Sequence, residues 1–299
     1  MPVSDNLQIG ISFALLAGVL WGIGPLLLKR GMTYSNVSTA TLIEQYVSVI
    51  TLTLMAMIRG ELFRFAELPS RALWAFVGAG AVGASIGKIF YYKGIDKVGA
   101  SKATSVKNSS PILTTILAMV LLDEKLTLPV AVGVLLIVFG VLVLTEVDSK
   151  DKERPSRIGY FFYPLMAALC FGINPVFKKI GMTVSSFPVL GAFITQFTGL
   201  LMMLTAGRLL KIKPRWERVP IGSLLFFALA GVTEALGSLL TFYALIYAPA
   251  VLVSPIWRIS PLVTFVLARF TLRGIEVVTL RDGVAATFIV GGVLALTQG

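Results

Sequence analysis

The chain has 299 residues, 56% of them hydrophobic and 14% charged, with a mean hydropathy of +0.87. About a quarter of a soluble domain is charged, so these values exclude one and describe a chain solvated by lipid. The 26 Lys and Arg against 15 Asp and Glu give a net charge of +11, with no His and one Cys, which removes the commonest metal ligand, the usual neutral-pH proton shuttle and any intramolecular disulfide.

Ten stretches approach the roughly 20 apolar residues that a membrane-spanning helix needs. In chain order they are residues 9 to 28, 37 to 58, 73 to 92, 100 to 122, 127 to 145, 158 to 177, 187 to 207, 220 to 243, 250 to 272 and 278 to 297. The start, MPVSDNLQ, lacks the basic region and cleavage site of a secretory signal, so the first stretch is expected to remain as an anchor. The connection EVDSKDKERPSR, Glu146 to Arg157, is the one clear polar linker. It divides the chain into expected units 1–149 and 150–299, each carrying five spans.

The two units are related in sequence. Shifting the chain by 150 residues brings Ala17, Gly22, Ile23, Pro25, Lys29 and Gly31 onto Ala167, Gly172, Ile173, Pro175, Lys179 and Gly181, and Ser110, Pro111 and Thr114 onto Ser260, Pro261 and Thr264. An odd number of spans per copy forces the second copy to enter the membrane upside down. Inverted repeats of this kind are a construction of secondary transporters. Pro25, Pro111, Pro175 and Pro261 each remove a backbone donor inside a span, and their symmetric placement predicts hinges or gates. Gly18 with Gly22, Ala79 with Gly83, and Gly83 with Gly87 have the spacing that lets helices approach closely.

Ionisable groups at span depth cost about 2.5–3.5 kcal/mol each, so they mark a site. They are Glu44, Lys88, Lys107, Glu234 and Arg258, and their charges sum to +1. At least one cation therefore lacks a carboxylate. Lys102 and Arg269 lie nearer span ends and are expected to snorkel to headgroups. Under the repeat alignment Lys107 faces Trp257 and Asn108 faces Arg258, so two cations reach one cavity from pseudo-equivalent spans. An arginine beside a lysine suits a carboxylate or phosphate; internal pairing with Glu44 and Glu234 is the competing use of these cations. Trp21, Gln45, Tyr46, Tyr91, Tyr92, Asn108, Asn174, Gln196, Tyr243 and Trp257 complete the expected substrate-binding set, aromatics supplying an apolar face with a polar edge.

The segment PILTTILAMVLLDEKLTLPVAVGVLLIVFGVLVL, Pro111 to Leu144, has a proline-bearing span, the small-residue step Leu117–Ala118, the acidic turn Asp123–Glu124 and a last span punctuated by Gly133 and Gly140. In this order it resembles the closing part of an EamA-like repeat of the drug/metabolite transporter superfamily. The second copy keeps Ser260, Pro261, Leu267 and Ala268 but replaces the acidic turn by Arg273, Gly274, Ile275 and Glu276. The resemblance covers nearly the whole chain and implies an all-α integral membrane fold: ten transmembrane helices, as two inverted five-helix repeats around a central cavity, without cofactor or metal. The Lys107 and Arg258 pair also resembles the phosphate-binding lysine and arginine of plastid phosphate translocators.

The expected function is secondary-active transport, by alternating access, of a small polar metabolite carrying a carboxylate or phosphate, such as an amino acid. Export or exchange is expected, driven by protons at Glu44 or Glu234 or by a counter-solute. The alternatives are efflux of organic cations and drugs on the same carboxylates, or a non-transporting scaffold or channel. No Walker or zincin motif is present, so neither ATP hydrolysis nor an enzyme is expected. The expected partners are the small-molecule substrate and the bilayer, with no nucleic acid, in a monomer or weak dimer of a prokaryotic cytoplasmic (inner) membrane. For sidedness, fifteen basic residues in the odd-numbered connections, counting Lys29 and Arg30 in the first of them, against six elsewhere, Lys178 and Lys179 included, place both termini outside by the positive-inside rule. The family resemblance implies termini in the cytoplasm.

Overall fold

The computed structural model describes residues 3–32, 37–98, 100–145, 158–209, 219–271 and 280–297, and every regular element among them is helical. Lipid offers no hydrogen bonds, so a spanning backbone has to satisfy its own groups, and helices do so within one segment. The first unit holds α1 (Val3–Gly31), α2 (Val37–Ile58), α3 (Ser70–Ala79), α4 (Lys88–Val98), α5 (Ala100–Asn108), α6 (Ser110–Leu122) and α7 (Leu128–Thr145). The second holds α8 (Phe162–Thr183), α9 (Pro188–Leu209), α10 (Ile221–Tyr247), α11 (Ala250–Ile256), α12 (Ser260–Thr271) and α13 (Leu280–Thr297). Among the described residues, seven stretches are long and apolar enough to cross a membrane: Asn6–Gly31, Thr39–Ile58, Ser70–Tyr91, Gly159–Thr183, Pro188–Ala206, Ile221–Tyr247 and Ala250–Leu267. Val106–Leu122, Leu128–Val143 and Gly283–Thr297 are apolar but shorter than the sequence reading expected. The linker 146–157 and the turn 273–276 lie outside the described residues.

Three of the rods are irregular, and each irregularity faces the middle of the molecule. The third rod passes from α3 into a π-helical segment, Gly80–Gly87, before resuming as α4; wide π turns recur at functional sites. The fourth breaks at Ser109, between α5 and α6. The ninth breaks through a short 3-10 turn, Trp257–Ile259, between α11 and α12. Pro111 and Pro261 lie in the first turns of α6 and α12, where a missing N–H costs no hydrogen bond. They start half-helices, whereas Pro25 and Pro175 lie inside α1 and α8.

Close glycine contacts fix the packing. A Cβ on Gly10 of α1 would stand 2.6 Å from Ala248, just beyond α10, and one on Gly31 would stand 2.5 Å from Phe227 near the start of α10. These two helices therefore run antiparallel along their whole lengths. Equivalent contacts recur in the two copies: Thr264 Oγ1 donates to the Gly22 carbonyl at 2.7 Å, and Thr114 Oγ1 to the Gly172 carbonyl at 2.9 Å. In the same way Gly80 meets the Thr195 carbonyl, and Gly231 meets the Glu44 carbonyl at 2.6 Å from a Cβ position. α7 and α13 pack on each other apart from this crossing.

Burial is uneven along the bundle. One apolar cluster joins Ile11, Ala14 and Ala17 of α1 to Ala244, Leu245 and α11. A second joins Leu52 and Ala56 of α2, Phe76 of α3, Leu190 of α9 and Phe242 of α10. Both lie toward the end of the molecule that carries the starts of α1 and α9 and the finish of α10, and that end is closed. Nearer the other end the helices separate around a space lined by Leu28 of α1, Lys107 of α5 and Ala230 of α10, while α1 and α10 stay in contact at Gly31 and Phe227.

Candidate functional site

The separation leaves a central cavity of about 340 Å³, at the small end of the range of about 300–1,000 Å³ for small-molecule sites. Its wall is built from the irregular segments and the middles of the long helices: Trp21, Gly24, Pro25 and Leu28 of α1, Glu44 of α2, Gly83 and Ala84 of the π segment, Lys88 and Tyr91 of α4, and Lys107 of α5. The second copy contributes Phe171, Asn174 and Lys178 of α8, Thr195 and Gln196 of α9, Ala230, Thr233, Glu234 and Ser238 of α10, and Trp257, Arg258 and Ser260 around the broken ninth rod.

All five expected ionisable groups therefore face one space, and a sixth joins them. Lys178, counted from sequence as a loop residue, lies inside α8 and is buried, at 4% exposure. Its Nζ donates to Thr241 Oγ1 at 3.3 Å and lies 5.2 Å from the Phe242 ring and 6.0 Å from both the Trp21 and Trp257 rings. Lys179, the next residue, points about 100° away around the helix and donates to the carbonyls of Leu245 and Ala248 at 2.6 and 3.0 Å, capping the end of α10. Both are corrections to the expected loop assignment, because the helix continues past Pro175. A sequence signal for Lys178 exists: Phe171, Asn174 and Lys178 are spaced i, i+3, i+7, one face of one helix.

The charges sort into neighbours. Glu44 has Lys88 and the like-charged Glu234 as charged neighbours, and Glu234 is also the charged neighbour of Lys178. A chain of side-chain hydrogen bonds ties the carboxylate side together: Lys88 Nζ donates to Gln45 Oε1 at 3.4 Å, Gln45 Nε2 to Gln196 Oε1 at 2.7 Å, and Gln196 Nε2 to Glu234 Oε1 at 3.0 Å. Lys107 has Arg258, a like charge, as its charged neighbour. Instead of carboxylates, these two cations meet rings: Lys107 Nζ lies 4.6 Å from the centroid of Tyr91 and 5.7 Å from that of Phe171, and the Arg258 guanidinium lies 5.9 Å from Phe171. Arg258 Nη2 donates to Ser110 Oγ at 2.7 Å, while its buried Nε has no partner among the described residues. One ammonium and one guanidinium head thus have aromatic support and, among the described residues, no carboxylate within ion-pair distance, a chemistry suited to an anion.

The remaining expected residues divide. Trp21 and Trp257 pack edge to face at 5.6 Å between centroids, both in the cavity wall, and Asn174 donates from Nδ2 to the Ala79 carbonyl at 2.7 Å, bridging α8 to α3. Tyr46 does not line the cavity; it is 39% exposed on the outside of α2. Tyr243 does not line it either, and packs its ring 5.5 Å from Phe13 beside the second apolar cluster. Asn108 is buried behind the wall with its Nδ2 unpartnered among the described residues. The side chains of Tyr92, Lys102 and Arg269 lie outside those described. Of the four prolines, Pro25 lines the cavity and Pro111, Pro175 and Pro261 do not. Among the described residues no cluster of His, Cys, Asp and Glu has the makings of a metal site.

Helical rods around a cavity lined by acidic and basic side chains are the architecture of a membrane carrier, and the family comparison agrees. The EamA-like transporter family matches residues 8–146 and again residues 157–298, so the chain belongs to that family and is a multi-pass membrane protein. A protein of Clostridium kluyveri described as an uncharacterized transporter is 26% identical over 145 residues, which make up 48% of this chain and 46% of that one. The matched region thus spans about half the length of this curated relative. A solved structure, described only as the crystal structure of a protein, superposes with a TM-score of 0.78 over 96% of this chain and 95% of its own at 14% identity, a likeness of fold alone.

Proposed function

We propose that the protein is a secondary-active exporter or exchanger whose cavity binds a small metabolite through its carboxylate or phosphate at Lys107 and Arg258. The observation that carries this reading is the sorting of charge. Lys88 and Lys178 lie beside Glu44 and Glu234, which leaves Lys107 and Arg258 as a like-charged pair in the wall. An anion relieves that repulsion; an organic cation adds to it. Gln196 and Glu44 line the same cavity and suit an amino or hydroxyl group, so an amino acid fits the whole set.

On the same reading the two matched halves are inverted five-helix repeats of units 1–149 and 150–299, making ten passes. The reciprocal contacts of Thr114 with Gly172 and Thr264 with Gly22 support this. Rocking of the halves about the cavity alternates its opening between the two faces, with a prokaryotic cytoplasmic membrane as the setting and no cofactor required. Glu44 and Glu234, both in the cavity wall, are the candidates for proton coupling.

Counterflow into proteoliposomes tests this reading. Vesicles preloaded with a panel of carboxylated and phosphorylated metabolites are expected to give saturable, trans-stimulated uptake of at least one labelled member. Uptake restricted to organic cations, or unsaturable leak, overturns it.

A further inference from the structure

The closed end is held by a carboxylate as well as by packing. Glu61 follows α2 in the connection to α3, and it is 7% exposed. Its Oε2 accepts the backbone N–H of Leu190 at 2.9 Å, in the first turn of α9. The first N–H groups of a helix have no partner within it and carry a partial positive charge, so a carboxylate there is well matched. Leu190 itself belongs to the apolar cluster that plugs this end, together with Val189 and Phe187. One side chain of the first copy thus grips a helix of the second where the plug forms.

The groups facing Glu61 are known. On its own connection Arg59, Arg64 and Glu67 line a polar surface pocket of about 380 Å³ with Ser185 and Phe187. Arg64 is ion-paired to Glu67 at 2.6 Å and lies 4.8 Å from the Phe187 ring. From α10, Tyr243 is the titratable neighbour. None of these residues lines the central cavity.

We infer that Glu61 is an end latch: its bond to the start of α9 must break before the cavity opens at this end. The inference rests on the alternating-access part of the proposed function, not on the nature of the substrate. The latch has a pH direction. Burial pushes the Glu61 carboxyl above its usual value, against the smaller pull of the Leu190 and Val189 N–H groups and of Arg59 and Arg64. A group with a raised value in the latched state, and an ordinary one when released into water, binds its proton more tightly in the latched state. Acid therefore favours the latched state as pH falls through the raised value toward 4.5, and ionisation at higher pH favours opening.

Sided thiol labelling tests it. In a Cys170→Ala background, Thr233→Cys places a reporter in the cavity wall, and a membrane-impermeant reagent is applied from one face or the other. Glu61→Ala is expected to raise labelling from the closed end by about fivefold, the population shift that loss of a helix-capping side chain gives, and to lower labelling from the other end. Glu61→Gln keeps an acceptor for Leu190 and is expected to stay closed while losing the pH dependence. In the parent, the ratio of closed-end to other-end labelling, in which the common loss of thiolate in acid cancels, is expected to fall on going from about pH 8 to about pH 5. Glu67→Gln, exposed in the same pocket, should track the parent. Closed-end labelling of Glu61→Ala equal to the parent overturns the latch, as does a parent ratio of closed-end to other-end labelling that rises with acid or a Glu61→Gln variant whose ratio keeps the parent's pH response. Should Glu61→Ala fail to fold, the Gln variant and the parent pH series still decide. Labelling needs no substrate, so failed anion counterflow with latch behaviour intact counts against the anion reading alone.

Discussion

Replacing Arg258 by Gln removes one of the two cations that stand together without a carboxylate, and keeps a side chain of comparable length. Arg258 is held in place by its 2.7 Å bond to Ser110 Oγ and by Phe171 under its face, so the wild-type head is pre-oriented and little ordering is needed when an anion arrives. A charge-assisted hydrogen bond is worth about 1.5–3 kcal/mol, which converts to about a 10- to 150-fold loss of apparent affinity. Counterflow concentration curves in proteoliposomes measure it directly. Arg258→Lys should lie between the two, since it keeps charge but loses the planar fork. Lys107→Met should cost a similar factor, and the double variant less than the product of the two, because both heads grip one anionic group. An Arg258→Gln protein whose half-saturating concentration stays within about twofold of wild type for every transported anion would refute the reasoning. Tyr46→Phe, on the outside of α2, serves as the variant expected to change nothing.

Gly231→Ala drives a methyl group to 2.6 Å from the Glu44 carbonyl, and overpacking of this kind should lower stability by about 1–3 kcal/mol, read as a fall in thermal unfolding midpoint in detergent. Gly80→Ala, its counterpart against the Thr195 carbonyl, should do the same. Thr114→Val and Thr264→Val each remove a bond to a glycine carbonyl of the opposite copy and should each cost about 0.5–1.5 kcal/mol; equal losses in the two are expected of a duplicated fold. Glu124 accepts the N–H groups of Ala250 and Val251 at 2.8 and 2.9 Å, so Glu124→Ala should cost about 1 kcal/mol by the same thermal measurement, and Glu124→Gln less.

The acidic turn shows how a pattern visible in sequence acquires its meaning from the fold. Asp123 and Glu124 are part of an order of residues that marks the family, yet nothing local says why a carboxylate is needed there. The reason is the start of α11, 126 residues further on, whose free N–H groups Glu124 receives. Lys178 and Lys179 make the same point within one dipeptide: neighbours in sequence, they leave α8 in directions about 100° apart, one into the cavity and one onto the last carbonyls of α10.

Composition and the 150-residue repeat were enough to determine a lipid-solvated, duplicated helical chain, because hydropathy and self-similarity do not depend on how helices are arranged. The cost of burying charge likewise marked Glu44, Lys88, Lys107, Glu234 and Arg258, all of which line the cavity. Which face each helix turns inward was decided only by the tertiary structure. In lipid a helix is apolar all round, so no amphipathic stripe separates Tyr46 and Tyr243, which face elsewhere, from Trp21 and Trp257, which face the cavity. The same holds for the π turn at Gly80–Gly87 and the breaks at Ser109 and Trp257–Ile259, since a backbone leaves regular geometry only where neighbouring helices or a polar cavity take up the freed groups.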